Sequence, residues 1–390
     1  METASVFAGG VQKLSEKLKE PKWLLEYRLK NAKIAEQKPL KKSVYLNLAQ
    51  LEKLLKEPTS NEFAMPKKFE QNGVRVFSWN DALRKIPDKL KMVLEKEHAP
   101  KDQFEAFINA WFGCGFVILA DEKFRGGTVS FESVFSENAA GKIAVIVENI
   151  DGEISFFEQV RGKERLLLNE TVFLGKGCAA SFLRVHSHSA GCQALVFQQT
   201  VVEKDAGLLN SNAWLEGKLL RANTFNSLVG QGASVNQLDF ALLGGSQLFD
   251  LNNTAMHIAT DTQSCTEIKS VLAGCAKNIF DGMIKILPSG QRANALLQAH
   301  SILLSDGASS NNIPGLEIEA DDVKATHSAS VVQILDEQVF YLESRGIKKD
   351  IAKQLIVTSF LGSVILRLPK AFQDGLFLAV SQKMEKIGQN

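Results

Sequence analysis

The sequence predicts a mainly β fold in which stacked strands form the core and helical segments flank it. Short apolar runs with β-branched and aromatic residues, such as 143–147 and 194–197, indicate strands in the middle of the chain. Glycine-containing turn signals recur between these runs, without the long amphipathic helices of a parallel α/β sheet. This spacing suits a β-sandwich or a β-solenoid. Asparagine and serine within the runs, as at Asn210 and Asn212, favour the solenoid, where polar side chains stack in ladders.

Changes in pattern divide the chain into three zones. Residues 1–102 are rich in lysine and glutamate and predict an N-terminal helical region. Residues 103–330 carry the strand pattern and predict the β core. Residues 331–390 return to helical periodicity and predict a compact C-terminal helical domain, with helices over 352–364 and 369–386.

The N-terminal zone contains several candidate helices. Pro21 suits the first position of a helix over 21–30, because its missing N–H has no partner there anyway. Further short amphipathic helices are expected at 48–55 and 82–96. This zone therefore predicts a helical lead-in to the β core.

Composition narrows the classes of function. Of the 390 residues, 45% are hydrophobic and 23% are charged, so the chain can bury a sizeable core and is not a disordered polymer. Its net charge of +1 offers no global field for attracting nucleic acid or an anionic membrane, and neither is expected as a partner. No apolar run reaches the ~18 residues of a spanning helix, and the first residues lack a secretion-signal pattern. We therefore expect a cytoplasmic protein.

Motifs for catalysis and for resident cofactors are absent from the sequence. There is no phosphate-binding loop, so the chain is not expected to hydrolyse ATP by itself. The five cysteines include no CxxC pair, which argues against a self-contained zinc or iron–sulfur site. Four of them are expected to be small buried hydrophobic side chains: Cys178, Cys192, Cys265 and Cys275. His186 and His188 share one face of a strand and are able to share a metal, although a solvated strand face is the favoured interpretation.

The most informative stretch lies between the β core and the C-terminal helices. Residues 316–330 combine an acidic strand, LEIEADD, with a histidine-bearing strand, KATHSAS, and residues 336–347 follow as DEQVFYLESRGI. This order resembles the signature of the SufB/SufD family of iron–sulfur cluster assembly scaffolds, in which such strands precede a helix that begins with an FYL-x-SRG pattern. The combination is highly specific.

Further segments extend the resemblance from residue 20 to residue 368. The segment EPKWLLEYRLK at 20–30 is similar to the family's EP-x-WLL-x-x-RLK pattern. Six other positions or segments also fit: His257, Ser264, Lys269, 280–284, Gln291 and 301–306. Between 158 and 250 the chain matches the family only in its style of strands and glycines.

Within the family, the chain looks like SufD rather than SufB. SufB chains typically carry a glutamate after the histidine and a cysteine one strand earlier. Here His327 is followed by Ser-Ala-Ser, and the strand at 316–323 has no cysteine. The chain also departs from the commoner SufD pattern, Cys-Ser-His-Gly, because Ala-Thr-His-Ser stands in its place. No thiol therefore stands beside this histidine in the sequence.

The resemblance implies an architecture and a set of partners. It implies a right-handed parallel β-helix core that pairs with a SufB-like paralogue through its last strands. It also implies that the C-terminal helices bind a separate SufC-like ABC ATPase. On this basis an iron–sulfur cluster shared with SufB is transient cargo, no cofactor is intrinsic, and ATP with Mg²⁺ belongs to SufC. A homodimer is the alternative when the paralogue is absent.

The resemblance also singles out site residues. His327 is the candidate ligand of iron or of the nascent cluster, because a neutral imidazole is a good ligand for iron. A histidine satisfied by a hydrogen bond at a strand end is the structural alternative. Four further residues are candidates for the interfaces with partners: Asp321, Asp322, Tyr341 and Arg345. No catalytic residue is predicted.

Each interface candidate also has a structural interpretation, and two other functions stay open. For the two aspartates, an edge or turn acid that orients a lysine such as Lys324 is favoured over a ligand of iron. Phe340, Tyr341 and Leu342 are expected to pack the helices onto the end of the β-helix. A passive homodimer that only holds the ATPase is one alternative function. A β-helix enzyme acting on a polysaccharide is the other, although only Trp111 and Trp214 lie in the β zone as aromatic platforms.

Overall fold

The structure, a computed structural model, describes residues 2–38, 63–64, 73–334 and 336–388. The helix predicted at 48–55 lies outside these residues. The described helices before the core are α1 Glu2–Leu18, α2 Lys22–Gln37, α3 Trp79–Lys85, α4 Pro87–Glu95 and α5 Gln103–Trp111. Those after the core are α6 Asp336–Ser344, α7 Lys349–Ile365 and α8 Lys370–Gly388. The expected helix at 82–96 is thus two helices, since Pro87 starts a new one.

Two sheets of parallel strands form the core. The odd sheet consists of β3 Cys114–Ala120, β5 Asn138–Val147, β7 Arg165–Leu174, β9 Gln193–Val202, β11 Leu219–Leu228, β13 Leu248–His257, β15 Lys277–Ile286 and β17 Ser309–Ile318. The even sheet consists of β4 Gly127–Phe135, β6 Glu153–Arg161, β8 Ala179–Ser187, β10 Gly207–Glu216, β12 Ser234–Leu243, β14 Gln263–Leu272, β16 Asn294–Leu303 and β18 Lys324–Gln333. Each strand pairs with the next strand but one, so the chain winds through eight turns of a β-solenoid.

Residues 103–111 form helix α5 instead of a strand. Its side chains at Phe104, Phe107 and Ile108 are buried, and Asp102 caps it by accepting a hydrogen bond of 3.0 Å from the backbone N–H of Glu105. The short apolar run alone does not separate a buried helix from a buried strand, and the Asp–x–x–Glu cap decides for the helix. The parallel strands of the core therefore begin at Cys114.

The interior of the solenoid holds both apolar residues and polar ladders. Phenylalanine, valine and leucine fill the inward rows, while amide side chains stack between successive turns. Asn210 donates to Gln237 at 2.8 Å, and Asn212 donates to Asp239 at 3.2 Å. The stacked asparagines confirm the solenoid over the sandwich, because only in-register parallel turns bring such residues together.

Helices cover the outer faces of both sheets. The N-terminal helices pack on the outer face of the odd sheet, where Leu24 and Trp79 meet Val117 and Ile146. The C-terminal helices pack on the outer face of the even sheet, against Phe240 and its neighbours. No helix of the described residues is long and apolar enough to cross a membrane.

The two ends of the solenoid differ. At the first turn, β1 Phe63–Ala64 pairs antiparallel with β4, and β2 Arg75–Ser78 pairs antiparallel with β3. At the last turn, β17 and β18 are the outermost strands of their sheets, and no described segment pairs with their free edges. We call this last turn, residues 305–334, the open end. A free edge exposes unpaired N–H and C=O groups, so proteins usually cover it or use it for association.

Candidate functional site at the open end of the solenoid

His327 lies in the inward row of the last turn. Its strand, β18, pairs in parallel with β16, and the register sets His327 beside Leu297, which is a buried residue of the solenoid core. Residues in register on neighbouring parallel strands point to the same face, so the imidazole continues an interior row. Because the solenoid ends here, His327 is exposed at the mouth of the interior.

Apolar side chains surround this histidine on the open end. Leu316 and Ile318 continue the inward row above Ile284 and Ile286, yet they are 37% and 42% exposed. Val331 on β18 is 42% exposed. A cross-section of core is thus open to solvent, and exposed apolar patches of this kind mark interaction surfaces.

The imidazole of His327 has no hydrogen-bond partner among the residues that the structure describes. The structural alternative, a histidine satisfied by a hydrogen bond, therefore finds no support in the described part of the chain. The imidazole is exposed at the mouth of the interior, and an unprotonated imidazole nitrogen is a ligand for iron or zinc. A single ligand does not make a metal site, and no cluster of three or more metal-ligating groups occurs among the described residues.

Asn312 holds the strand that carries this histidine. From β17, its Nδ2 donates to the backbone oxygen of Ser330 at 3.1 Å and to that of Ala299 at 3.2 Å. These bonds cross the interior and tie the odd sheet to the even sheet at the last turn. Asn312 is not among the residues singled out from the sequence. An asparagine in an inward row of a solenoid is the signal that would have indicated a residue bonding between strands.

The predicted interface acids lie on the connection between β17 and β18. Asp321 and Asp322 are exposed, and the backbone of Asp322 is fixed by the preceding turn: its N–H donates to Gln291 Oε1 at 3.1 Å, and its oxygen accepts from Arg292 at 2.6 Å. The structure brings neither aspartate into an ion pair with Lys324 in the described residues. Their assignment to an interface stays a prediction.

The predicted helix residues are exposed beside the open end. Helix α6 begins three residues after β18 ends, and Tyr341 is 58% exposed on it, with the Arg345 guanidinium 5.3 Å from its ring centroid. Phe340 is 70% exposed. The interpretation that these aromatic residues pack the helices onto the β-helix end is therefore wrong. Packing on the solenoid is instead supplied by α7 and α8, which cover the outer face of the even sheet.

A family model for the SufBD core domain of iron–sulfur cluster assembly in the SUF system matches residues 132–360. This range covers more than half of the chain and runs from β4 through the open end into α7. The chain belongs to the SufB/SufD family.

Curated relatives of this SufB/SufD family member carry matching names. An iron–sulfur cluster assembly SufBD family protein of Synechocystis sp. is 30% identical over 158 residues, which is 40% of this chain and 33% of that protein. The iron–sulfur cluster assembly protein SufD of Escherichia coli is 30% identical over 48% of this chain and 43% of its own length. The protein SufB of Bacillus subtilis is 26% identical over 55% and 46%. The chain spans less than half the length of each of these three relatives, and the matches do not separate SufB from SufD, so the SufD-like assignment stays a prediction.

His186 and His188 of this family member are both buried, so the expectation of a solvated strand face is wrong. The His186 ring stacks on Trp214 at 3.9 Å inside the solenoid, and burial lowers the pKa of His188 to about 4. The backbone N–H of Gly162 donates to His188 Nδ1 at 3.0 Å, which leaves the proton of the neutral ring on Nε2. That tautomer does not ligate a metal through Nε2, so the metal alternative gains no support.

The cysteines of the family member divide between interior and surface. Cys178 and Cys192 are buried as expected, and burial raises the pKa of the Cys192 thiol to about 12. Cys265 is half-buried, and Cys275 is exposed, so the expectation of burial is wrong for Cys275. Cys275 lies in the turn between β14 and β15, where its side chain is outside the packed rows of the strands.

A charged cluster inside the solenoid was also missed. Arg184 Nε lies 2.5 Å from a Glu170 oxygen and 3.7 Å from a Glu158 oxygen, and all three side chains are buried. Burial, with Glu170 as the next cause, raises the pKa of Glu158 well above its ordinary value. A proton held on Glu158 reduces the negative charge that is buried beside Arg184 in a medium of low dielectric constant. Sequence alone places these residues on three separate strands with no sign of their contact.

Proposed function

We propose that the chain is a non-catalytic scaffold subunit of an iron–sulfur cluster assembly complex. It pairs with a SufB-like paralogue through the open end, and its C-terminal helices bind a separate SufC-like ABC ATPase. A cluster forms between the two scaffolds as cargo, with His327 as one ligand. The observation that carries the proposal is the exposed, unpartnered imidazole of His327 in the inward row of the open end.

The open end supports the pairing step because it combines two features that favour association. The free edges of β17 and β18 offer backbone hydrogen-bond groups over two strands of ten residues each. Between them, Leu316, Ile318 and Val331 offer apolar area that a partner would remove from water. A second strand pair laid on this turn would satisfy both and would enclose His327.

Enclosure of His327 by a partner supports its role as a ligand. With no thiol beside it in the chain, the remaining ligands for iron come from the partner's side of the interface. An interior row that ends at an interface places the imidazole where such a partner ligand can reach it. A cluster held between two chains is then released or exposed when the chains move apart.

The C-terminal helices support the docking of an ATPase. Four apolar side chains are exposed on α6 and α7: Phe340, Tyr341, Ile351 and Leu355. Solvent-exposed apolar residues grouped on two adjacent helices are typical of a protein-binding surface. The opposite side of α7 is committed to the even sheet, so only its outer side is available.

The test of the cluster site compares two histidine variants in the assembled complex. His327→Ala should lower the iron and acid-labile sulfide content and the visible cluster absorbance strongly, because a lost ligand leaves iron under-coordinated. The stability of the variant should change by no more than about 1 kcal/mol, since the side chain is exposed.

The matched control is His300→Ala. His300 lies on the neighbouring strand β16, where its Nδ1 meets Ser330 Oγ at 2.7 Å, and its register partner Ser330 is on the outward face. This variant should load clusters normally. Equal cluster loading in the two variants would reduce His327 to a structural strand residue.

The test of ATPase docking uses point substitutions. Removing the helices would uncover the apolar outer face of the even sheet, including Phe240, so a truncated chain is a poor test. Phe340→Glu and Leu355→Glu each change an exposed side chain. At least one should abolish capture of the ATPase, while Val134→Glu at the far end of the solenoid should not. Undiminished capture by both variants would refute this docking surface.

A further inference from the structure

The open end is acidic in a chain whose net charge is almost zero. Residues 305–334 contain five carboxylates and one lysine, while the whole chain has a net charge of +1. The five carboxylates are Asp306, Glu317, Glu319, Asp321 and Asp322. Both glutamates are about half exposed, and the three aspartates are exposed, so these charges face solvent and any docked partner.

The cations of the preceding turn neutralise only part of this charge. Lys285 contacts Glu317 and lies 3.7 Å from Glu319. Arg292 pairs with Asp261 at 2.6 Å and 2.8 Å, and Asp322 makes a weaker electrostatic interaction with the same guanidinium. The acidic excess of the open end is therefore present after the internal ion pairs have been formed.

The carboxylates occupy both corners of the last turn. Four of them lie at the corner of 317–322, where β17 leads into β18, and Lys324 is the basic residue there. Asp306 lies at the other corner, in the connection from β16 to β17. Between the corners, the strands are apolar or uncharged. The charges therefore frame the apolar surface that a partner would cover.

Two copies of this chain that met through their open ends would bring these charges together. Identical chains in a closed pair are related by a two-fold axis. An axis along the strands sets the corner of 317–322 on the same corner of the other copy. An axis across the strands sets it on the corner that carries Asp306. In both arrangements carboxylates face carboxylates, and like charges across an interface oppose association.

We propose that the open end rejects a second copy of this chain and selects a partner whose last turn carries lysine or arginine side chains at the corners. This inference rests on the proposed pairing function of the open end and adds the rule by which the partner is chosen. The apolar surface supplies the attraction for any solenoid end, and the corner charges discriminate between ends.

The experiment builds the missing complementary partner from the chain itself. The variant Glu319→Lys, Asp321→Lys and Asp322→Lys reverses three corner charges, which changes the corner of 317–324 from a net −3 to a net +3 on the sequence. Glu317 is kept so that its contact with Lys285 persists. The unmodified chain, labelled with ¹⁵N, is mixed with the unlabelled variant, and native mass spectrometry with sedimentation velocity measures each dimer.

The mixed dimer should be about tenfold tighter than the dimer of the unmodified chain at 50 mM salt, the effect of a few exposed ion pairs acting together. The difference should shrink at 0.5 M salt, because screening shortens the reach of exposed charges. The matched control Glu122→Lys, Glu137→Lys and Asp151→Lys reverses three exposed acids at the first turns of the solenoid. Mixtures with this control should show no preference.

Two results would overturn the inference. If the mixed pair associates no more tightly than the unmodified chain associates with itself, the corner charges neither reject a copy nor select a partner. If mixtures with the control variant gain the same affinity, the position of the charges at the corners is not the cause. Either result leaves capture of a SufB-like partner to decide the pairing function, so failure of this inference is distinguishable from failure of the proposed function.

Discussion

One buried carboxyl, Glu105, should make a contribution to the stability of this protein that falls as the pH rises. Glu105 lies in the first turn of α5, where Lys101 N–H donates to its Oε2 at 2.9 Å. Its side chain is buried between the helix and the odd sheet, and burial raises the pKa of the carboxyl to about 8. In the unfolded chain, a glutamate titrates near a pKa of ~4.3.

The sign and size of the effect follow from these two values. Between them, the folded state keeps a proton that the unfolded state has lost, so the free energy of unfolding falls by about 1.4 kcal/mol per pH unit. The protonated form stabilises the fold fully below about pH 4, and this contribution is lost as the pH rises towards 8. From pH 5.5 to pH 7.5 the loss is about 2 to 3 kcal/mol.

The assay is urea unfolding of the unmodified chain and of Glu105→Gln at pH 5.5, 6.5 and 7.5. Glutamine stays neutral, so the variant lacks this titration, and its stability relative to the unmodified chain should rise by about 2 to 3 kcal/mol over the range. Glu122→Gln, an exposed turn residue, is the control and should follow the unmodified chain. Parallel pH profiles for Glu105→Gln and the unmodified chain would show that Glu105 is ionised in the folded state and would refute the reasoning.

Three further predictions concern the solenoid and its N-terminal helices. Asn312→Ala removes donors that join the sheets, so amide exchange across β18 should accelerate about tenfold, with Asn294→Ala unchanged. Gly230→Ala would place a Cβ 1.9 Å from the backbone nitrogen of Lys204, and urea unfolding should show a loss of about 3 kcal/mol. Lys142→Met removes the ammonium group that lies 2.7 Å from the buried Glu97 carboxylate. The variant should lose about 3 kcal/mol of stability, which a lower melting temperature would report. An unchanged exchange rate in Asn312→Ala, an unchanged urea midpoint in Gly230→Ala or an unchanged melting temperature in Lys142→Met would contradict the corresponding prediction.

The local patterns of the sequence predicted the helices and strands better than the contacts that these elements make with one another. The strand runs and the helices predicted over 352–364 and 369–386 are decided within a few residues, and the structure has them. The signature around His327 also lies in one continuous stretch, which made the family recognisable before any contact was known. By contrast, 103–111 was placed with the strands, because a short buried apolar run has the same composition in a helix and in a strand.

Contacts between distant turns were out of reach of the sequence. Arg184 meets Glu158 and Glu170 because parallel in-register stacking aligns three strands, and Asn312 meets Ser330 because two sheets face each other across the last turn. Neither contact follows from spacing, since the length of each connection sets which residues fall in register. The burial of His186 on β8 has the same origin, because a strand pattern does not reveal which of its faces is inward.

The sequence by itself determined that this chain is a β-rich member of the SufB/SufD family with a histidine at 327, since these features depend on residue identity and short-range periodicity. The tertiary structure alone decided that the solenoid ends at β17 and β18, whose outer edges no described segment covers, and that His327 stands in the inward row. It also decided that the C-terminal helices lie on the outer face of the even sheet. The physical reason is that a strand edge is exposed only when no other segment pairs with it, and this depends on where all the other segments of the chain lie.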